Sequence, residues 1–222
     1  MNESEKPVSP ADEFAVALEA HAPRYGVRPD GQATSRLREY YEQVMAWNAR
    51  LHLVAPCPPA EFATRHVLES LLAAAHIAAG AHVADVGSGA GLPAIPCLIL
   101  RPDLRATLIE SSPKKAVFLR EALRRVGARE RAAVVAARFE KTPAPDAAYV
   151  TCRALDRFTE ILPALVAWSP PRSTLLLFGG DTLREQLEKH GLICQAQHIP
   201  ASDRRFLFIT NRDSKVQSPK SN

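Results

Sequence analysis

The segment Asp85-Val86-Gly87-Ser88-Gly89-Ala90-Gly91 is where this sequence can do chemistry. Alternating glycines let a chain turn sharply and let a ligand come close to the backbone. A helix follows, beginning Leu92-Pro93-Ala94-Ile95-Pro96, and its first N–H groups have no intrahelical partner. Prolines there cost little for the same reason. A dinucleotide-binding Gly-x-Gly-x-x-Gly needs its third glycine at position 92, where Leu92 stands. A P-loop would continue into Gly-Lys-Ser/Thr, and this chain does not. Gly-x-Gly-x-Gly with Asp85 two residues ahead suits a ligand without a pyrophosphate. S-adenosylmethionine is one, with a zwitterionic methionine end and a ribose diol. Glu110 closes the next β-like run, where an acid can accept both ribose hydroxyls. Read alone, the glycines also fit a plain tight turn and Glu110 a solvated strand-end acid.

The surrounding pattern says what positions these groups. β-like runs at 82–86, 106–110, 132–136, 147–151 and 174–178 alternate with helix-like stretches at 92–101, 113–127, 155–168 and 182–190. Such alternation predicts a mostly parallel sheet, whose ligands lie at the strands' carboxyl ends. Ile193–Ile199 and Arg205–Thr210, joined through Pro-Ala-Ser-Asp, predict a closing antiparallel hairpin. The first ~75 residues read as helices: one starts at Ser9-Pro10, one spans about 31–47, and one follows Pro58-Pro59. The expected division is a tail over 1–8, a helical extension over 9–78 packed beside the sheet, a Rossmann-like α/β domain over 79–211, and a tail over 212–222.

Composition narrows the class without naming it. With 46% hydrophobic and 23% charged residues, a formal net charge of +4 and a pI near 9.0, the chain reads as globular and mildly basic, which permits an anionic partner without requiring one. The four cysteines, Cys57, Cys97, Cys152 and Cys194, show no zinc or redox spacing; no metal is expected. The polar start does not read as a signal peptide, and no apolar run approaches the ~20 residues that span a bilayer. A cytoplasmic monomer without membrane contact is the default expectation. Residues 101–131 hold nine Lys/Arg against four acids. That is what a phosphate-binding face looks like, and also what a solvated helix face looks like.

Several segments together resemble one family. They are Trp47-Asn48-x-x-Leu51-x-Leu53, Arg65-His66-x-x-Glu69-Ser70, the run from Asp85 to Pro96, Glu110-Ser111-x-x-Lys114-Lys115-x-x-Phe118-Leu119, Arg138-x-Glu140 and Arg153-Ala154. They resemble the bacterial 16S ribosomal RNA guanine-N7 methyltransferases (the RsmG or GidB type) from about Trp47 to Ile209. The resemblance implies a class I S-adenosylmethionine-dependent methyltransferase fold with an N-terminal helical extension, acting on 16S ribosomal RNA or the small ribosomal subunit. It places Gly87 and Leu92 at the cofactor turn, Glu110 on the ribose, Phe139 and Glu140 beside the adenine, and Arg153 at the reactive end. With the turn residues Asp85, Gly89 and Gly91 these form the expected cofactor set. Arg153, Arg65 and His66 are the expected catalytic set, lining the region where the base would sit. The chain departs from the family's usual pattern at His52, Glu69 and Cys152, and at Phe178-Gly179-Gly180, where many members carry a lysine. That last departure bears on the grip on substrate and not on the cofactor. A small-molecule methyltransferase on the same fold, and a non-catalytic RNA-binding relative, stay open as alternatives. Leu92 speaks against a nicotinamide dehydrogenase.

Overall fold

The structure is a computed structural model that describes residues 8–153 and 158–215. Ala154, the expected start of a helix at 155, and most of both expected tails lie outside the described residues.

Local chemistry starts the first helices. Ser9 caps α1 (Pro10–His21), its hydroxyl oxygen accepting the Asp12 N–H at 3.1 Å, with Pro10 in the first turn. Asp30 does the same for α2 (Gly31–Leu51), accepting the Ala33 N–H at 2.7 Å. This helix runs four residues past the expected end at Trp47. It stops where His52 takes a left-handed conformation (φ 47°), and the Asn48 amide bonds both the N–H and the C=O of Val54, at 3.0 and 3.1 Å. The expected third helix is four short pieces in a row: α3 (Pro59–Glu61), a π-helical segment (Phe62–Leu68), α4 (Glu69–Leu71) and a 3-10 turn (Leu72–His76).

The sheet has seven strands in the order β3-β2-β1-β4-β5-β7-β6. β1 (His82–Val86), β2 (Arg105–Ile109), β3 (Ala132–Val135), β4 (Tyr149–Arg153) and β5 (Thr174–Gly179) are parallel. β6 (Leu192–His198) and β7 (Phe206–Lys215) close the far side as an antiparallel hairpin. Strand order reverses between β1 and β4, so a crevice opens at their carboxyl ends. β4 begins two residues later than the 147–151 run predicts, which puts Arg153 at its last position. β7 extends beyond residue 211, where a tail was expected. Arg212 explains the extension: its guanidinium caps the end of α7 (Phe158–Trp168) by bonding the Val166 and Ala167 carbonyls at 3.0 and 3.1 Å.

The two faces of the sheet carry two apolar clusters. α7 and α8 (Asp181–Lys189) cover one, around Val150, Leu162, Leu177 and Phe208. The N-terminal helices share the other with α5 (Ala94–Leu100) and α6 (Pro113–Arg125): Phe14, Leu37 and Tyr40 belong to the same cluster as Ile95 and Phe118. Phe14 stacks on Tyr41 at 4.8 Å and meets Phe62 at 6.0 Å. Burying one such ring is worth about 1.5–3 kcal/mol.

Candidate active site

A cleft of about 880 Å³ lies over the carboxyl ends of β1 and β4. Its floor is the glycine turn, with Gly87, Gly89 and Gly91 at φ 70°, 52° and 90°, values that side-chain-bearing residues rarely adopt. Backbone bonds from Gly87 and Ser88 to the Ile109 carbonyl, at 2.9 and 3.2 Å, join the turn to β2. Glu110 tightens that joint: one carboxylate oxygen accepts the Gly89 N–H and the other the Ser112 N–H, each at 2.8 Å. Each oxygen keeps a further lone pair for a ligand hydroxyl. From the other side Tyr40, fully buried on α2, donates its hydroxyl to the Ala90 carbonyl at 2.8 Å. The turn is held by the extension as well as by the sheet.

Most expected cofactor residues meet here, and two do not. Gly87, Gly89, Leu92, Glu110, Phe139, Glu140 and Arg153 line the cleft. Asp85 does not: it is completely buried beneath the turn, and its Oδ1 accepts the Thr151 hydroxyl at 2.6 Å, tying β1 to β4. Burial pushes its carboxyl up to about 7, with the Thr151 and Ser88 hydrogen bonds opposing, and its Oδ2 has no hydrogen-bond partner among the described residues. Gly91 does not line the cleft either. A Cβ there would collide with the Ile95 side chain, so this glycine is required for packing. An apolar slot of Ile109, Ala137, Phe139 and Ile161 flanks Glu110. Phe139 sits on a 3-10 turn (Phe139–Lys141), braced edge-on by Trp168 at 5.6 Å. Next to it Glu140 bonds Arg138 at 3.0 Å, and that bond holds the Glu140 carboxyl below its usual range.

The opposite wall is built from three distant segments. Arg65 and His66 ride on the π-helical segment, a form frequent at functional sites, and both line the cleft with Arg153. Arg153 reaches into that segment, bonding the Arg65 and His66 carbonyls at 2.6 and 3.1 Å, the Ser70 hydroxyl at 2.9 Å and Glu69 Oε2 at 3.1 Å. Arg205, at the entrance to β7, pairs with Glu69 Oε1 at 2.6 Å. Burial pushes the Glu69 carboxyl up, and the Arg153 and Arg205 guanidiniums oppose that shift. Burial, with Arg153 and Arg65 beside it, pushes the His66 imidazole down to about 4, so it is neutral near pH 7. Glu69 and Arg205 were not among the expected site residues. The sequence marks Glu69 only as a departure from the family's usual residue, and the Arg204-Arg205 pair at a strand entrance is the one available sign of Arg205.

The arginine-rich stretch is partly committed to the fold. Arg101 bonds Asp103 and the carbonyls of Ala74 and Ile77, and Arg131 bonds those of Leu98 and Leu104. Arg120, Arg124 and Arg125 engage the Val134 carbonyl, Glu121 and Glu39. Of the nine basic residues, Lys115 alone lines the cleft. Arg124 and Arg125 stay exposed within their pairs, while Arg101 and Arg131 are tied to carbonyls, so part of the 101–131 charge run is available to an anion-facing or solvated surface.

Comparison with known proteins bears on the whole of this arrangement. A family described as rRNA small subunit methyltransferase G matches residues 33–212. The ribosomal RNA small subunit methyltransferase G of Sorangium cellulosum (strain So ce56) is 35% identical over 189 residues, 82% of this chain and 77% of that one. Its counterpart in Xanthomonas campestris pv. campestris (strain B100) is 38% identical over 189 residues, 84% of this chain and 85% of that one. Among solved structures, the mitomycin 7-O-methyltransferase MmcR aligns with a TM-score of 0.57 at 21% identity, covering 94% of this chain and 74% of that one. An RNA methyltransferase from Salinibacter ruber in complex with S-adenosyl-L-homocysteine aligns at 0.52 and 15% identity, covering 76% and 98%. At such identities these structures establish a shared fold.

Proposed function

The chain belongs to the rRNA small subunit methyltransferase G family, and on that premise we propose that it methylates N7 of a guanine in small-subunit ribosomal RNA. It is an S-adenosylmethionine-dependent methyltransferase. The observation that carries the finer reading is one cleft with two unlike ends: a glycine turn and carboxylate at one, a guanidinium-bearing wall at the other.

The residues present fit the cofactor. Glu110 has lone pairs left for a ribose diol after bonding Gly89 and Ser112. The slot of Ile109, Phe139 and Ile161 suits an adenine face. When bound, S-adenosylmethionine supplies an electrophilic sulfonium methyl group. Guanine N7 carries a lone pair and no proton, so the chain has no proton to remove there. Its work is to orient the base, which is worth about 7–11 kcal/mol in well-placed reactions. A neutral His66 adds no positive charge to the acceptor end, where the methylated base becomes cationic.

The test supplies labelled S-adenosylmethionine to small subunits lacking N7 methylation. Label is expected in the RNA, at a guanine that borohydride and aniline then cleave. Label confined to small-molecule pools would overturn this reading and favour the small-molecule alternative.

A further inference from the structure

Two arginines reach the acceptor wall, and a count of their donors separates their roles. A guanidinium has five N–H groups in a fixed plane. Arg153 spends both hydrogens of Nη1, on the His66 carbonyl and the Ser70 hydroxyl, and both of Nη2, on the Arg65 carbonyl and Glu69 Oε2. Its side chain is 12% exposed, and among the described residues only its Nε–H is left without a partner. Arg205 places Nη1 on Glu69 Oε1 at 2.6 Å and Nε on the Ser202 hydroxyl at 2.9 Å. Its side chain is 34% exposed and lines the cleft. Among the described residues Nη2 has no partner and Nη1 is held by Glu69 as an ion pair, so the Nη1–Nη2 edge of the fork still has donors to offer the cleft. Glu69, 3% exposed, gives one oxygen to each arginine.

We propose that Arg205, held by Glu69, grips a phosphate of the target nucleotide through its Nη1–Nη2 edge, and that Arg153 is a strut fixing the wall. Glu69 is then a positioning residue, acting through Arg205. The fork of an arginine matches two phosphate oxygens. Its other common use, bidentate bonding to guanine O6 and N7, is closed here because N7 must be open to receive the methyl group. This assignment rests on the chain acting at guanine N7 of RNA.

The experiment measures binding of the S-adenosylhomocysteine-loaded protein to small-subunit RNA across salt, together with methylation kinetics. Arg205 is partly exposed, so Arg205→Gln is expected to fold. It should lower the slope of log affinity against log salt by about 0.7–0.9, one phosphate contact. It should also raise the KM for RNA about tenfold, with S-adenosylhomocysteine affinity unchanged within about threefold. Arg205→Lys should restore the slope without restoring KM. Glu69→Gln should raise the RNA KM as Arg205→Gln does, and the double variant should be no worse than the poorer single variant beyond about threefold. An unchanged slope and KM in Arg205→Gln, or additive losses in the double variant, would overturn the assignment. A Glu69→Gln protein that does not fold leaves the decision to Arg205→Gln alone. Wild-type protein that binds S-adenosylhomocysteine yet labels no RNA would sink the proposed function instead. In that event arginine side-chain NMR still tests the clamp, which requires Arg205 resonances to sharpen in Glu69→Gln.

Discussion

The two ends of the cleft use the same device on opposite materials. At the cofactor end Glu110 ties together two backbone N–H groups, of Gly89 and Ser112. At the acceptor end Glu69 ties together two guanidiniums, of Arg153 and Arg205. The first joint holds neutral groups close in the chain; the second holds like charges brought from β4 and β7. Loss of Glu110 therefore loosens a loop. Loss of Glu69 leaves two cations facing one another at a largely buried wall, where an uncompensated charge is costly. On the proposed assignment, precision for the small ligand is stored in local backbone geometry, and precision for the large one in long-range electrostatics.

The widest difference should appear in stability. Glu69→Ala is expected to cost about 3–5 kcal/mol, and Glu110→Ala, which gives up two hydrogen bonds to a charged acceptor, about 1.5–3 kcal/mol; urea denaturation measures both. Equal losses would erase the contrast. Next in size is ligand affinity: Glu110→Ala should weaken S-adenosylmethionine binding about tenfold or more in calorimetry, consistent with losing charged hydrogen bonds, while RNA affinity holds. Tyr40→Phe removes the peg on Ala90 and should cost about 1–3 kcal/mol by leaving a buried carbonyl unpaired; a thermal melt unmoved by this change would show that the turn is held by the sheet alone. The smallest effect belongs to Lys114 and Lys115. Replacing both with Gln should reduce the salt slope of RNA binding by at most about 1.4–1.8, most of it from Lys115, the one that lines the cleft.

The contrast also explains what was legible in the sequence. The glycine turn, Leu92 and Glu110 lie within short reach along the chain, so spacing exposes them at strand ends that alternation predicts. Asp85 and Gly91 show the limit of that legibility, because spacing alone does not say which turn residues face outward. One supports β4 through Thr151 and the other gives room to Ile95. At the acceptor end, Glu69 and Arg205 belong to segments that meet only through the sheet order, where β7 lies beside β5. The charge run over 101–131 stays ambiguous in the sequence for a related reason. A sequence shows an arginine's charge and not which carbonyls its fork has already taken, and Arg101 and Arg131 are occupied in that way.

The bond from Tyr25 on the N-terminal side to the Pro200 carbonyl spans 175 residues, and it carries a consequence for the order in which a chain leaving the ribosome acquires its competence. Domains generally fold as units during synthesis. The glycine turn has its partners only once β4 has been synthesised, because β1 pairs with β4 and Asp85 beneath the turn accepts the Thr151 hydroxyl. The acceptor wall waits for the strand that brings Arg205 to Glu69. A nascent chain thus completes both ends of the cleft late, and the acceptor wall last.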